Sequence, residues 1–423
     1  MRNWAGNLEY GARRLLEPRS REELQEVVRA APRFRVLGSR HSFSAIADTD
    51  GDLVSLARQP RVLEIDRAAS TVTVDGAMRY GDLAPVLDRA GFALHNLASL
   101  PHISVAGACA TGTHGSGVWS RGLAGAVRRM ELLRTDGEAV TFDRHADRGT
   151  FPGVAVSLGA MGVVTRLTLD IEPAYEIAQV VYQGLPHATF RSRLSEVMAA
   201  GDSVSAFTTW QDDTIDQVWV KRRTTDPGTD AWPDALFGAR RATTPRHPVP
   251  GMDPAACTTQ HGRPGRWHDR LPHFRLHHTP TAGDELQSEY LVAREQAPGA
   301  LDAVQALRAR ITPLVLTSEI RSVAADGLWL SPAFDRDSIA IHFTWRPRWP
   351  EVRALLGAIE AALEPFAPRP HWGKLFTMAP DAVAGRYPRF GDARALAAAL
   401  DPAGKLRNAF VDRYLFGDGP AAG

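Results

Sequence analysis

The first half of the chain alternates between short runs of apolar residues with a period of two and amphipathic stretches with a period near 3.6 residues. The Ser-Arg-Glu-Glu run at residues 20–23 is a capping box, and it predicts a helix whose apolar stripe includes Leu24, Val27 and Val28. The same periods predict the further elements of this half: strands over residues 34–37, 62–65 and 71–74, the last two paired; a helix around Leu83, Val86 and Leu87; a hairpin of residues 130–133 and 139–142 around a type I′ turn at Asp136-Gly137; and a strand reaching Leu169 after the glycine-punctuated segment 157–165. Short helices and strands without βαβ regularity predict an α+β domain up to about residue 173.

The second half has a different pattern. Strands are predicted over residues 207–210 and 217–221, but residues 226–280 are rich in Pro, Gly, Arg and His and show little periodicity. A connection of that length is either functional or poorly ordered. Beyond it, apolar positions predict one helix through Leu301, Val304 and Ile311, and a stronger one through Val352, Leu355, Leu356, Ile359 and Leu363 that starts with Pro350 at its first position. The alternation of strands and helices predicts a second α+β domain.

Two strands of this half carry polar side chains on one face. In the segments 316–323 and 338–345, period-two geometry places these residues on one face of each strand: Thr317, Glu319 and Arg321; Ser338, Ala340, His342 and Thr344. On the pattern alone, a solvated sheet surface is the expected explanation. A binding site is favoured because His342 and Thr344 are short polar groups rather than Lys or Glu, and because the long connection would cover the sheet.

Composition bounds the function classes. The chain has 423 residues, of which 44% are hydrophobic and 23% charged, so it is long enough for two globular domains. The 49 basic and 48 acidic residues give a net charge of +1 without a long run of one sign, which argues against nucleic-acid or membrane-surface partners. Cys109 and Cys257 suggest no disulfide framework, and no leader or transmembrane run is evident. We expect a cytoplasmic protein.

Four histidines between His268 and His278 raise the question of a metal site. No ligand-spaced pair with Cys, Asp or Glu accompanies them. The sequence therefore predicts no metal, and it predicts a surface loop for this group.

Two loops rich in glycine and hydroxyl groups follow strand-like runs near the N-terminus. One is Gly-Ser-Arg-His-Ser-Phe at residues 38–43, and the other extends over residues 99–117. Such loops let backbone N–H groups converge on phosphate. Neither contains G-x-G-x-x-G or G-x-x-x-x-G-K-[ST], so the usual dinucleotide and P-loop motifs are excluded. Apart from this pattern, a lone histidine such as His41 is most often a buried, hydrogen-bonded residue.

These two sequence motifs resemble those in the flavin domain of the vanillyl-alcohol-oxidase family of FAD enzymes, and most closely those of its alditol oxidase branch. The resemblance extends from Asn3-Trp4 to Lys405. It implies an α+β fold of two domains: a PCMH-type FAD-binding domain at residues 1–173, completed by residues 376–423, and a substrate-binding (cap) domain at residues 174–375. It also implies FAD carried covalently by His41.

Further cofactor contacts are implied by the same resemblance. They are Gly38, Ser39, Arg40, His41, Ser42, Ser99, Ser104, Gly107, Thr111, Gly112, Thr113, His114, Val164, Thr344 and His371, with Val164 on the adenine side. Close relatives usually have glycine where this chain has Arg40. If that position needs a positive φ, arginine is strained there. Ala98 is the candidate for the small residue that governs access of oxygen.

The resemblance also assigns the substrate site. Ser99, Glu319, Arg321, Thr344 and Lys374 would bind a polyol, with His342, Lys374 and Arg321 catalytic. Histidine suits a base that removes the hydroxyl proton near neutral pH, so His342 is expected to fill that role. Arg321 and Lys374 would stabilise the developing alkoxide and the charge on the reduced cofactor. Glu319 and Ser99 would bind the remaining hydroxyls, unless Glu319 mainly holds Arg321 in place.

We therefore expect a monomeric enzyme that oxidises a primary hydroxyl of an alditol such as xylitol or sorbitol and reduces O2 to H2O2. An aldonolactone oxidase or dehydrogenase of the same superfamily is the nearest alternative. A catalytically silent flavin- or sugar-binding protein is a third possibility, against which the joint presence of His342, Lys374 and Arg321 argues.

Overall fold

The computed structural model of the chain describes residues 1–224, 232–277 and 285–417. Its N-terminal part consists of short elements in this order: β1 (Arg14–Leu16), α1 (Arg21–Ala30), β2 (Phe34–Val36), β3 (Asp52–Val54), β4 (Leu63–Asp66), β5 (Thr71–Asp75), α2 (Tyr80–Arg89), β6 (Phe92–Ala93), α3 (Val105–Ala110), β7 (Val127–Leu133), β8 (Ala139–Asp143), α4 (Phe151–Val154), β9 (Val163–Asp170) and β10 (Glu172–Pro173). The predicted strands and helices of this part are confirmed in position.

Three small sheets order this part of the chain. The first is β1-β3-β2 with both pairs parallel, the second is the antiparallel sheet β4-β5-β9-β7-β8, and the third is the pair β6 and β10. α1 links β1 to β2, which lie on either side of β3, but the other two sheets are antiparallel. The predicted α+β class is therefore confirmed. Half of the predicted capping box at the start of α1 is present: the Ser20 hydroxyl accepts from the N–H of Glu23 at 3.2 Å, but the Glu23 carboxylate accepts from the N–H of Arg19, one residue before the expected Ser20.

The turn between β7 and β8 differs from the predicted type I′. Only Gly137 has a positive φ, +82°, whereas a type I′ turn requires one at Asp136 as well. The N–H of Gly137 donates to the carbonyl of Arg134 at 2.9 Å, and the Asp136 carboxylate accepts from the N–H of Glu138. The loop is thus a type I turn followed by a left-handed glycine.

One large antiparallel sheet dominates the C-terminal part. The elements are β11 (Glu176–Pro186), α5 (His187–Ser192), α6 (Leu194–Met198), β12 (Ser203–Thr208), β13 (Thr214–Thr224), β14 (Ala235–Leu236), β15 (Ala239–Arg241), β16 (Gly265–Arg266), β17 (Leu286–Ala293), α7 (Ala297–Gln305), α8 (Arg308–Ile311), β18 (Val315–Val323), β19 (Ser338–Trp345), α9 (Trp349–Leu363), β20 (Arg369–Pro370), α10 (Pro380–Ala384), α11 (Phe390–Leu400) and α12 (Ala409–Val411). The strand order is β14-β15-β11-β13-β12-β18-β19-β17-β20, and β16 pairs with β11. In the described ranges, no helix is long and apolar enough to cross a membrane.

Two sequence predictions in this part need correction. The strand predicted over residues 207–210 ends at Thr208, because Trp210 takes a φ of +61° and donates its indole N–H to Ser318 Oγ at 2.7 Å. The helix predicted through Leu301, Val304 and Ile311 is divided into α7 and α8, with a turn at residues 306–307 between them.

The long connection is more ordered than its composition predicts. Residues 225–231 and 278–284 lie outside the described part, but residues 232–277 contain β14 to β16 and bury Trp267 completely. Part of this segment, at residues 247–249 and 273–274, covers one face of the large sheet. These residues therefore pack over the sheet and are not part of a solvated loop.

After α11 the chain returns to the first small sheet. The carbonyl of Lys405 accepts from the N–H of Phe34 at 2.8 Å, and the fully buried Leu406 packs with Leu24 and Val28 of α1. This contact packs residues 405–406 against the N-terminal part of the chain. The domain boundaries near residues 173 and 375 stay predictions.

Candidate active site

A cavity of about 250 Å³ lies between the two glycine-rich loops and the polar face of the large sheet. Its lining includes every site residue predicted from the sequence except Gly112 and Val164. Gly112 faces Pro332, and Val164 pairs with Leu132 inside the second small sheet. The functional roles of these residues stay predictions, but the structure brings most of them to one place.

The first glycine-rich loop leaves β2 and forms one wall of the cavity. A Cβ on Gly38 would stand 2.7 Å from Ser104 Oγ, and a Cβ on Gly107 would meet the same atom at 2.7 Å, so a larger residue at either position would displace the Ser104 hydroxyl. The N–H groups of residues 39–42 donate to no acceptor in the described part of the chain. A row of free donors beside a cavity suits an anionic group such as a pyrophosphate.

The N-terminal segment holds this loop in place. The N–H of Trp4 donates to the carbonyl of Arg40 at 2.8 Å, and the Asn3 amide donates to the carbonyl of Ser42 at 2.9 Å. The Trp4 ring stacks on the His41 ring at 4.4 Å. Burial lowers the pKa of His41 to about 4, so its imidazole is neutral. Arg40 has a φ of +61°, which is the strained conformation that the sequence comparison anticipated.

The polar faces of β18 and β19 meet in the cavity. The two strands are antiparallel neighbours in which Glu319 pairs with His342 and Thr317 with Thr344. The predicted polar residues of these strands that line the cavity are each at most 7% exposed: Thr317, Glu319, Arg321, His342 and Thr344. A solvated sheet surface is therefore excluded, because this polar face is buried; that it binds a substrate stays a prediction.

His342 is held at both ring nitrogens. Lys374 Nζ donates to Nδ1 at 2.8 Å, which assigns the proton of the neutral ring to Nε2, 3.1 Å from Thr344 Oγ1. Burial, and then the charge of Lys374, lower the pKa of His342 to about 4. The ring is neutral at pH 7, and Nδ1 is its basic atom.

Glu289, which the sequence analysis did not identify, is the anion at the centre of this cluster. It is 1% exposed on β17; it forms an ion pair with Lys374, accepts from Arg321 Nη2 at 2.9 Å, and lies 3.2 Å from His114 Nε2. Burial raises the pKa of the Glu289 carboxyl, but Lys374 and Arg321 outweigh burial and hold it well below its usual value. The sequence signal for it was weak: Gln287 and Glu289 fall on one face at period two, but Ser288 between them is also polar, so the run does not alternate.

His273 contradicts the surface loop predicted for the histidine group. It is 5% exposed, and its Nε2 lies 2.7 Å from Glu319 Oε1. The rings of Phe207 and Trp219 contact it edge-on at 5.5 and 5.3 Å, so aromatic packing buries the imidazole beneath the sheet face. Composition misled the prediction because the polar segment is covered by apolar residues from distant strands.

Two other histidines of that group do not line the cavity. His268 is 3.8 Å from Asp88, and His277 is exposed, as predicted for a surface loop, while His278 lies outside the described residues. Across the ranges that the structure describes, no group of three or more His, Cys, Asp and Glu side chains is arranged to hold a metal ion.

The tight turn after β20 positions Lys374. The N–H of Lys374 donates to the carbonyl of His371 at 3.0 Å, and the N–H of Gly373 donates to His371 Nδ1 at 3.1 Å. The N–H groups of Phe43 and Ser44 donate to the carbonyl of Gly373, at 2.7 and 3.4 Å. This turn is thereby tied directly to the loop that carries His41.

Two family models match separate parts of the chain. The model described as "FAD binding domain" matches residues 12–143, and the model described as "D-arabinono-1,4-lactone oxidase" matches residues 279–414. The first includes both glycine-rich loops, and the second includes Glu289, the β18 and β19 residues and Lys374.

Curated relatives match along nearly the whole chain. The alditol oxidase of a Streptomyces species (strain IKD472 / FERM P-14339) is 48% identical over 98% of this chain and 99% of its own length. The L-gulono-1,4-lactone dehydrogenase of Mycobacterium tuberculosis is 28% identical over 98% of each. The crystal structure of cholesterol oxidase from Brevibacterium sterolicum has the same fold, with a TM-score of 0.77, 14% identity, and coverage of 98% of this chain and 96% of that one.

Proposed function

We propose that this chain, which belongs to the alditol oxidase branch of the vanillyl-alcohol-oxidase family of FAD-dependent oxidoreductases, oxidises a primary hydroxyl of an alditol such as xylitol or sorbitol to the aldose. The observation that carries this proposal is the neutral His342, its Nδ1 beside Lys374, in a buried cavity bounded by the glycine-rich loops. Near-full-length identity of 48% to an alditol oxidase supports the choice of substrate.

Different residues around the cavity would have different roles in an alcohol oxidation. A substrate hydroxyl that replaces the contact between Lys374 and His342 would give up its proton to Nδ1 of His342. Arg321 and Lys374, both held by Glu289, would then stabilise the alkoxide. Glu319 and Ser99 line the cavity at a position where they would bind the other hydroxyls of a polyol.

The residues of the N-terminal wall fit FAD as the cofactor. The free N–H groups of residues 39–42 suit its pyrophosphate, and the glycines at 38 and 107 leave room for a close approach. FAD held there would supply an acceptor for the hydride of the alcohol carbon, and the electron pair, together with that hydrogen's proton and the hydroxyl proton, would reduce O2 to H2O2.

We further propose that His41 carries the FAD covalently. Its half-buried, neutral imidazole lines the cavity and is fixed by stacking on Trp4. Denatured protein should then show flavin fluorescence on a gel at acid pH, and His41→Ala should lose that band. Quantitative release of flavin by acid from the unsubstituted protein would contradict the linkage.

An aldonolactone oxidase is the second candidate, since a D-arabinono-1,4-lactone oxidase model matches residues 279–414. An oxygen electrode with coupled peroxide detection separates the two functions. We expect xylitol or sorbitol to give one H2O2 per aldose, with kcat/KM far above that for L-gulono-1,4-lactone. The reverse preference would replace our proposal, and activity with dyes but not with O2 would make the chain a dehydrogenase.

Alanine variants test the assigned residues. His342→Ala and Arg321→Ala should each lose on the order of 10²-fold or more in kcat/KM, the scale of a positioned base or charge. Near-normal kinetics in both variants would refute the site. The monomeric state, the cytoplasmic location and the division into domains 1–173 with 376–423 and 174–375 are further parts of this proposal, and the sequence alone supports them.

A further inference from the structure

A buried lysine lies behind the polyol pocket and takes no part in the chemistry proposed above. Lys221, on β13, is 1% exposed and has no carboxylate within ion-pair distance among the described residues. Its Nζ contacts three acceptors: the carbonyl of Leu271 at 2.5 Å, the carbonyl of Pro272 at 3.2 Å and His273 Nδ1 at 3.2 Å. A buried ammonium that is unpaired by a carboxylate is costly, and its retention calls for an explanation.

The contacts of its two ring nitrogens fix the tautomer of His273. Burial lowers the pKa of Lys221 to about 7, and Nζ carries N–H donors in both the ammonium and the amine form. Because the ionised carboxylate of Glu319 can only accept, Nδ1 of His273 carries no proton, and the proton of the neutral ring is on Nε2. That atom faces Glu319 Oε1 at 2.7 Å, with Ser205 Oγ at 3.4 Å.

Only one carboxylate oxygen of Glu319, Oε1, is therefore hydrogen-bonded within the described residues. Oε1 accepts from His273 and lies 3.6 Å from Arg321 Nε, whereas Oε2 accepts no hydrogen bond within the described residues, and the side chain lines the cavity. Burial raises the pKa of the Glu319 carboxyl, but Arg321 and His273 lower it far more, so it is ionised. An ionised oxygen that faces the pocket can only accept, which selects a donor such as a hydroxyl.

We propose that Lys221 and His273 are positioning residues that act through Glu319, by holding it ionised and turned so that Oε2 receives a hydroxyl of the substrate. This Lys221 triad (Lys221, His273 and Glu319) rests on the proposed alditol oxidation and deepens it, because it explains how the pocket demands hydroxyl groups away from the reacting carbon. Lys221 donates to Nδ1 and fixes the ring of His273, His273 donates from Nε2 to Glu319, and Glu319 makes the contact with the substrate.

The triad also joins the two walls of the site. The backbone N–H of His273 donates to the carbonyl of Ser99 at 3.1 Å, so the residue that orients Glu319 is fixed to the second glycine-rich loop. Glu319 and Ser99, the two groups proposed to bind distal hydroxyls, are therefore set at a fixed separation by one residue.

Substitution of His273 provides a matched test in the full-length holoenzyme. His273→Gln offers an amide oxygen to Lys221 and an amide N–H to Glu319, whereas His273→Leu offers neither. We expect His273→Leu to raise KM for xylitol by about 10- to 100-fold with a smaller change in kcat, as expected for lost binding of a hydroxyl. His273→Gln should remain within about 3-fold of the unsubstituted chain, and Lys221→Met should raise KM by about 10-fold.

The control is Gln179→Leu. Gln179 is completely buried and pairs with Lys221 across β11 and β13, but it contacts residues 258–259 rather than His273. This variant removes a buried polar group from the same region and should leave KM unchanged within about 2-fold, as expected when no triad contact is lost.

A pH profile distinguishes positioning from simple loss of structure. The proton donated by His273 stabilises the ionised form of Glu319, so His273→Leu should raise the pKa of Glu319 and make KM increase as the pH falls, at a higher pH than in the unsubstituted chain. His273→Gln and Gln179→Leu should not show this limb. A folded, FAD-loaded His273→Leu with unchanged KM and pH profile would overturn the proposal.

An NMR measurement tests the Lys221 triad independently of the proposed alditol oxidation. With ¹⁵N-labelled histidine, assigned by the signal missing in His273→Gln, we expect the Nε2–H tautomer at neutral pH, and in Lys221→Met a shifted resonance of Nδ1, which loses its donor. If the unsubstituted chain fails to oxidise xylitol, alditol oxidation is wrong, while the tautomer still tests the triad. An Nδ1–H tautomer would refute the triad even in an active alditol oxidase.

Discussion

Replacing Lys374 by methionine should move the pH dependence of catalysis upward. His342 must be neutral to accept a proton, so activity is lost as the pH falls through its pKa. That pKa is about 4 in the unsubstituted chain, about 2.5 units below the ordinary 6.5, with burial the first cause and the charge of Lys374 the second. At 1.36 kcal/mol per unit, the shift corresponds to about 3.4 kcal/mol of preference for the neutral ring.

The size of the expected pKa change follows from the distances of the two nearest charges from Nδ1 of His342. Lys374 Nζ is 2.8 Å away and Glu289 Oε2 is 3.7 Å away, so the methionine variant removes the repelling charge and leaves the attracting one. Unit charges about 4 Å apart interact by ~4 kcal/mol at an effective dielectric constant of 20, which is ~3 pKa units. We expect the acid limb to move from near pH 4 to about pH 6 or above.

The assay is anaerobic single-turnover reduction of the bound FAD by xylitol, followed by its absorbance between pH 4 and 9, because this isolates the chemical step from reoxidation. Lys374→Arg is the matched control, since it keeps the positive charge and should keep the limb low. An acid limb in Lys374→Met that stays where it is in the unsubstituted chain would refute the electrostatic reasoning. A limb that persists unchanged in His342→Ala would show that another group is the base.

Three further substitutions test other parts of the structure. Arg40→Gly should raise the free energy of unfolding by about 1 kcal/mol, because glycine adopts a positive φ without strain, whereas Arg40→Ala should bring no gain; urea unfolding measures both. Arg35→Met should lower it by about 3 kcal/mol or more, because the buried guanidinium donates to four carbonyls, including those of Leu158 and Leu406; a loss below 1 kcal/mol would be inconsistent with that role. Glu289→Gln should lower kcat/KM by about 10²-fold, because two buried cations lose their partner, and it should not move the acid limb upward. Steady-state kinetics across pH measure both results, and a near-normal kcat/KM or an acid limb at higher pH would contradict the reasoning.

Local patterns of the sequence predicted the parts of the site that lie within single elements. Period-two alternation identified the shared faces of β18 and β19, and the capping residue Ser20 identified the start of α1. These signals depend on neighbours in the chain, and the structure confirms them. The motif at residues 38–43 likewise predicted a loop with free backbone donors beside a cavity.

The groups that the sequence did not reveal depend on contacts between distant segments. Glu289 becomes an anion of the site only because β17 pairs with β19 and because a turn 85 residues later brings Lys374 to it. His273 looked like part of a solvated loop, and only the packing of Phe207 and Trp219 buries it against Glu319. Lys221 gave no signal at all, since one lysine in a strand is ordinarily solvated.

Anaerobic titration of the purified holoenzyme with xylitol tests the central claim most directly. We expect complete bleaching of the oxidised FAD absorbance by one equivalent of xylitol, and its recovery on admitting O2 with formation of one H2O2 and one aldose. L-gulono-1,4-lactone at the same concentration should bleach it far more slowly. A spectrum that xylitol and sorbitol leave unchanged, while the lactone bleaches it, would contradict the account.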